Sequence, residues 1–164
     1  MKGKLFAVTL AGMLNIQVSN ACIGDGGVDG ALFAVPAGTF EVAVASYNAQ
    51  IAGKLPKYPR HNLVTVQFLL EQALNQNYQK EIFDVTLFEA TGQHFFRFIG
   101  DGERVEILAH EVPKNEFDSV MVTDIDALTA LVRKELTFTE ADSLNLFYQA
   151  ESSKSFYQLL SHSF

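Results

Sequence analysis

Three carboxylates, Asp118, Asp124 and Asp126, fall around one strand–helix junction, and paired acids beside a cleft are the usual equipment for moving protons in catalysis. The same junction gives two of them structural work. Thr123 or Asp124 stands where an N-cap belongs, and Asp126 lies in the first helical turn, where negative charge complements the helix dipole. His94 and His110 fall on neighbouring strand segments with Glu111 beside the second, which are the residue types of a metal site. With His61 and His162 also scattered singly, they read as surface or edge histidines, and no metal is expected. Gly24-Asp25-Gly26-Gly27-Val28-Asp29-Gly30 resembles a phosphate-cradling loop, but Asp29 takes the third glycine position and no strand precedes it. No Gly-x-Ser-x-Gly elbow occurs. No catalytic residue and no cofactor can be nominated, and the chain reads as a non-enzyme.

The remaining reactive side chain is Cys22, the single cysteine, which excludes an internal disulfide. What precedes it reads as a secretory signal over residues 1–21. Lys2 and Lys4 make a basic start, Leu5–Leu14 is an uncharged apolar run, and Ser19-Asn20-Ala21 supplies small residues at the cleavage positions. Ten residues of helix span about 15 Å, roughly half a bilayer core, so the run is too short to be a membrane span. Ala21-Cys22 resembles the end of a bacterial lipoprotein signal, although Ser19 stands where such signals usually carry Leu. Cys22 is thus the lipidation candidate, and the glycine-rich stretch 22–30 reads as a flexible tether. The expected location is the periplasm, free or anchored through a lipidated N-terminus.

Residues 31–164 are long enough for one globular domain with a core of its own. Cleavage after Ala21 leaves ten basic against nineteen acidic residues, a net charge of −9. With no basic cluster, a nucleic-acid surface is excluded, and contact with a membrane is expected only through the N-terminal anchor. Fourteen Phe and five Tyr without Trp make either a ring-packed core or an aromatic-lined cavity.

The elements that must position these residues follow from periodicity. Thr39–Ala45 alternates like a strand, but Phe40, Val44, Tyr47 and Ile51 recur at helical spacing, with Thr39 as a cap and Gly53 as a stop; helix is the reading preferred. Pro56 and Pro59 bracket a connection. Asn62 caps a helix carrying Leu63, Val66, Leu70, Ala73 and Leu74. Ile82–Glu89 sets Phe83, Val85 and Leu87 against Asp84, Thr86 and Glu89. It forms a hairpin with His94–Ile99, and Gly100-Asp101-Gly102 turns the chain into Arg104–His110 as the third strand of an antiparallel meander. After a turn at Pro113-Lys114-Asn115 come a strand at Ser119–Thr123 and a helix from Ile125 to Leu136. A capping box at Thr137–Glu140, a strand at Leu146–Gln149 and a last helix capped by Ser152 complete the order. The expected fold is α+β, an antiparallel or mixed sheet of about five strands with helices packed on it.

The stretch Phe95–Tyr148, with its Gly100-Asp101-Gly102 turn, the strand ending Thr123-Asp124, the helix from Ile125 and the Leu136-Thr137-Phe138-Thr139-Glu140-Ala141 passage, resembles the sterol-carrier-protein type 2-like domain. With flanking helices the similarity covers about 62–164. The chain departs from the family at Asn145, where a glycine is usual, and at Gln149-Ala150-Glu151, where a Gly-Asp pair is usual. The resemblance implies a hydrophobic tunnel for an acyl or sterol-like ligand, without catalysis. Two readings result. One is an exported binding module whose lipophilic ligand is lined by Phe68, Phe88, Phe95, Leu128, Leu131, Phe147 and Phe156. The other is an envelope accessory protein that meets a protein partner through a sheet edge or the aromatic surface of Phe95, Phe96 and Tyr148.

Overall fold

The computed structural model describes residues 35–60, 62–113, 119–149 and 154–164; the leader, Cys22 and its tether, His61, Asp118 and the Ser152 cap lie outside them. Ten elements follow in the order α1 Thr39–Ile51, α2 Leu63–Asn77, β1 Phe83–Glu89, β2 His94–Gly100, β3 Val105–Ala109, β4 Met121–Thr123, α3 Ile125–Val132, α4 Phe138–Ser143, β5 Phe147–Tyr148 and α5 Lys154–Ser163. The strands lie in the order β3-β2-β1-β4-β5. The β1–β2–β3 meander is antiparallel, β4 runs parallel to β1, and β5 is antiparallel to β4, so the fold is α+β with a mixed sheet.

Strand register sorts side chains between the two faces. Leu87 pairs with Phe96 on one side and Met121 on the other, and Val85 pairs with Phe98, which pairs with Ile107. These residues line the face that packs against Val66, Leu70 and Leu74 of α2, Leu128 and Leu131 of α3, and Phe156 and Leu160 of α5. Phe98 and Phe156 bring their rings to 4.6 Å. The opposite face carries a smaller cluster of Phe88, Phe95, Val120 and Val122, covered by Val42 of α1. Helix α1 reaches both layers, since Ala49 and the following Leu55 belong to the main core.

Helix ends explain where elements stop. After α1, Gly53 takes φ 67° while its N–H and that of Lys54 donate to Gln50 O and Ala49 O, the paired bonds of a Schellman stop. The same pair of bonds ends α3 at Val132, short of the expected Leu136, because Lys134 adopts φ 58° and turns the chain. At the end of α4 it is Asn145 that takes the left-handed conformation, at φ 56°. Asn62 accepts from Thr65 N at 3.1 Å, and the capping box of Thr137 and Glu140 is formed in both directions. Thr39 is the first helical residue of α1 and not its cap, a position held by Gly38 at φ 84°.

The structure also sets the orientation of α1, which periodicity leaves open, and corrects that of Glu89. The side of α1 that packs inward is Val42, Ser46 and Ala49, while Phe40, Val44, Tyr47 and Ile51 face outward. Glu89 does not share the solvent side with Asp84 and Thr86: an odd-numbered residue of β1, it follows Phe83, Val85 and Leu87 onto the core face and is fully buried.

Candidate functional site

Because β1 and β4 are parallel, their C-terminal ends meet at one end of the sheet, where α3 begins. Among the described residues the buried polar side chains other than Ser46 of α1 gather there: Glu89, His94, Thr123, Asp124, Asp126 and Thr129. Glu89 Oε1 accepts from Thr91 N at 2.7 Å and from Ile125 N at 3.2 Å, and Oε2 accepts from Gly92 N at 2.7 Å. One carboxylate thus closes the β1–β2 turn and holds the start of α3. Gly92 is required by this approach, since a Cβ there would stand 2.7 Å from Glu89 Oε2 and from the His94 ring.

Asp124 caps α3 through Asp126 N at 2.7 Å and accepts the Thr91 hydroxyl at 2.6 Å. Asp126 turns the other way, accepting from Gln50 Nε2 at 2.7 Å and Tyr58 N at 3.1 Å, and so fixes the end of α1 and the following connection. Burial pushes the Glu89 carboxyl up to about 7, aided by the neighbouring Asp124, against the pull of its three backbone N–H donors. His94 and His110 do come together, edge to face with ring centroids 5.3 Å apart. Among the described residues no three His, Cys, Asp or Glu side chains are grouped to hold a metal ion. The junction's hydrogen bonds go to backbone amides, to the Thr91 hydroxyl and to α1, and so tie the β1–β2 turn, α3 and α1 into a structural knot.

The seven residues expected to line one cavity fall in three places. Leu128, Leu131, Phe147 and Phe156 are packed in the main core, and Phe88 and Phe95 touch at 4.7 Å in the cluster on the other face of the sheet. Phe68 is exposed, because it lies two residues from Val66 and therefore on the far side of α2 from its buried stripe. A single chamber lined by all seven is ruled out by the sheet standing between them. Phe95 and Phe96 are likewise buried, one on each face, so of the expected aromatic surface only Tyr148 is exposed.

The apolar concavity lies elsewhere, along α1. A groove of about 740 Å³ runs between that helix and the α4–β5 segment, walled by Phe40, Val42, Val44, Ala45, Phe147 and Tyr148. Asn48, Asn145, the acidic Glu41 near one end and the single cationic side chain of the wall, Lys54, near the other supply its polar points. Gly38 is what lets α1 lie so close, for a Cβ there would fall 2.1 Å from the Tyr148 ring. Sequence reasoning missed this groove because helical spacing groups Phe40, Val44, Tyr47 and Ile51 on one stripe without saying which way that stripe faces. The signal was present in Val42, Ser46 and Ala49, a second stripe of small and short residues suited to close packing. No helix of the described residues is long and apolar enough to cross a membrane. No protein-family model matches the chain, and no curated protein matches it.

Proposed function

We propose that the chain is an exported, non-catalytic binding module that holds a lipophilic ligand in the groove between α1 and β5. The observation that carries the reading is the groove itself, since ligand sites are mostly apolar concavities of roughly 300–1,000 Å³ with a few convergent polar groups. Its size of about 740 Å³ falls within that range, and Lys54 suits the carboxylate or phosphate head of an acyl chain laid along Phe40, Val44 and Phe147. The sterol-carrier resemblance implies the same ligand class, with the binding place moved from between sheet and helices to the flank of α1. Export rests on the leader 1–21.

Native mass spectrometry of the mature protein after gentle extraction is expected to show one lipid per chain. In parallel, cis-parinaric acid is expected to gain fluorescence with the wild type and to lose at least about tenfold in affinity with Ala45→Trp, which fills the groove wall. A wild type that carries no lipid and binds no parinarate would refute the reading.

A further inference from the structure

Helix α1 is inverted relative to its composition. Val42, Ser46 and Ala49 face its own core, while Phe40, Val44, Tyr47 and Ile51 stand outward at 76, 41, 63 and 70 % exposure. Single exposed apolar residues need no explanation, but four large ones on one stripe do. Their spacing is 4-3-4, the alternation that keeps apolar side chains on the seam between two helices crossing at about 20°. The pattern is also symmetric about its centre. Turning the helix end for end exchanges position 40 with 51 and 44 with 47, which is what a twofold axis between identical helices requires.

We propose that this face pairs two copies of the chain, α1 lying antiparallel to α1 across a twofold axis. Phe40 of one copy then meets Ile51 of the other, and Val44 meets Tyr47, so each ring packs on an aliphatic side chain. A fully exposed aromatic side chain offers roughly 150–250 Å² and an aliphatic one somewhat less, so the four present on the order of 500 Å² per copy. Two copies cover about 1,000 Å² with these side chains alone, the threshold that a specific interface has to clear.

Charge favours the same occupant. The chain is acidic, so most of its surface repels a second copy, but Glu41 is the only charged residue in the thirteen of α1. Antiparallel pairing points each Glu41 toward the end of the other helix, where Lys54 follows, and sets the two helix dipoles in opposition. A bilayer surface would be met by a helix with Lys or Arg beside its apolar stripe, and α1 has neither.

Tyr47 and Ile51 do not line the groove, so the pairing can be tested without touching the proposed ligand site. Sedimentation equilibrium of the mature protein is expected to give twice the single-chain mass. Tyr47→Lys combined with Ile51→Lys is expected to weaken association at least about thirtyfold, the loss of one strong interface residue, with an unchanged urea midpoint. Val64→Lys with Phe68→Lys, an equally exposed pair on α2, is expected to leave the dimer intact. A single-chain mass at every concentration would overturn the proposal, and so would a dimer that the α2 pair abolishes equally. A monomer that binds neutral phosphatidylcholine vesicles through Tyr47 and Ile51 would also overturn it and assign the face to a lipid surface. Phe40 and Val44 belong to both the seam and the groove wall, so parinarate affinity is measured on the Tyr47→Lys, Ile51→Lys variant as well; binding retained there keeps failure of the pairing distinct from failure of the groove reading.

Discussion

Glu89 is the residue at which burial and hydrogen bonding oppose each other most directly. Its carboxyl is fully buried yet accepts three backbone N–H groups, and desolvation dominates, lifting it from 4.5 to about 7. An acid raised on folding binds its proton more tightly in the native state than in the unfolded chain. Stability from this group is therefore full below pH 4.5 and is lost as pH rises through 7. Two and a half units correspond to about 3 kcal/mol. Asp84, Asp101 and Glu140 are held below their ordinary values by Arg97 or by backbone donors, so their contribution has the opposite sign and falls away only in more acidic solution. Urea unfolding followed from pH 4.5 to 7.5 is expected to show declining stability for the wild type and a flatter profile for Glu89→Gln. Parallel profiles would mean that the carboxyl is ionised throughout this window.

At the scale of elements, α2 protects an edge of the sheet. Strand β3 has β2 on one side only, and three of its outer backbone groups are taken up by side-chain amides of the helix. Asn75 donates to Val105 O and accepts from Val105 N, both at 2.8 Å, and Gln67 donates to Ile107 O at 2.7 Å. An unpaired edge is an invitation to aggregation, and this pairing closes it from within. Asn75→Ala strips both partners from Val105, whose side chain is fully buried, and is expected to cost about 2 kcal/mol and to speed amide exchange at Val105. Asn77→Ala removes only a bond to Ala73 O in its own helix, and is expected to stay within about 0.5 kcal/mol of the wild type.

The order of elements, the meander and the caps at Asn62, Asp124 and Thr137 were legible in the sequence, because apolar period and capping chemistry are local. Orientation was less so. Two stripes of α1 compete at helical spacing, and hydrophobicity alone selects the wrong one; close packing against Tyr148 through Gly38 decides it. Glu89 was misplaced for a simpler reason, since its charge outweighed its odd position in β1. The groove was invisible because both its walls depend on that orientation of α1, and the acids were legible as caps but not as a knot joining β1, α3 and α1.

Considered whole, the molecule has an acidic surface, a core closed on both faces of the sheet, and its large exposed apolar side chains concentrated at the N-terminal end of the described chain. That end is also the one that follows Cys22, the lipidation candidate. Cys22 lies thirteen residues before Val35, and an extended chain spans at most about 3.5 Å per residue, so a lipid on Cys22 would keep Val35 within roughly 45 Å of the membrane. A single acyl chain holds a protein at a bilayer only marginally, whereas two or three do so stably. If Cys22 is the modified N-terminus, the intact mass of the mature chain is expected to begin at Cys22 and to exceed the polypeptide mass by a diacylglyceryl group, with or without an N-acyl chain. Cys22→Ser is then expected to release the protein from the membrane fraction with its fold unchanged. A mature chain carrying a free Cys22 thiol would sink the anchored arrangement while leaving the groove and the α1 pairing to stand on their own tests.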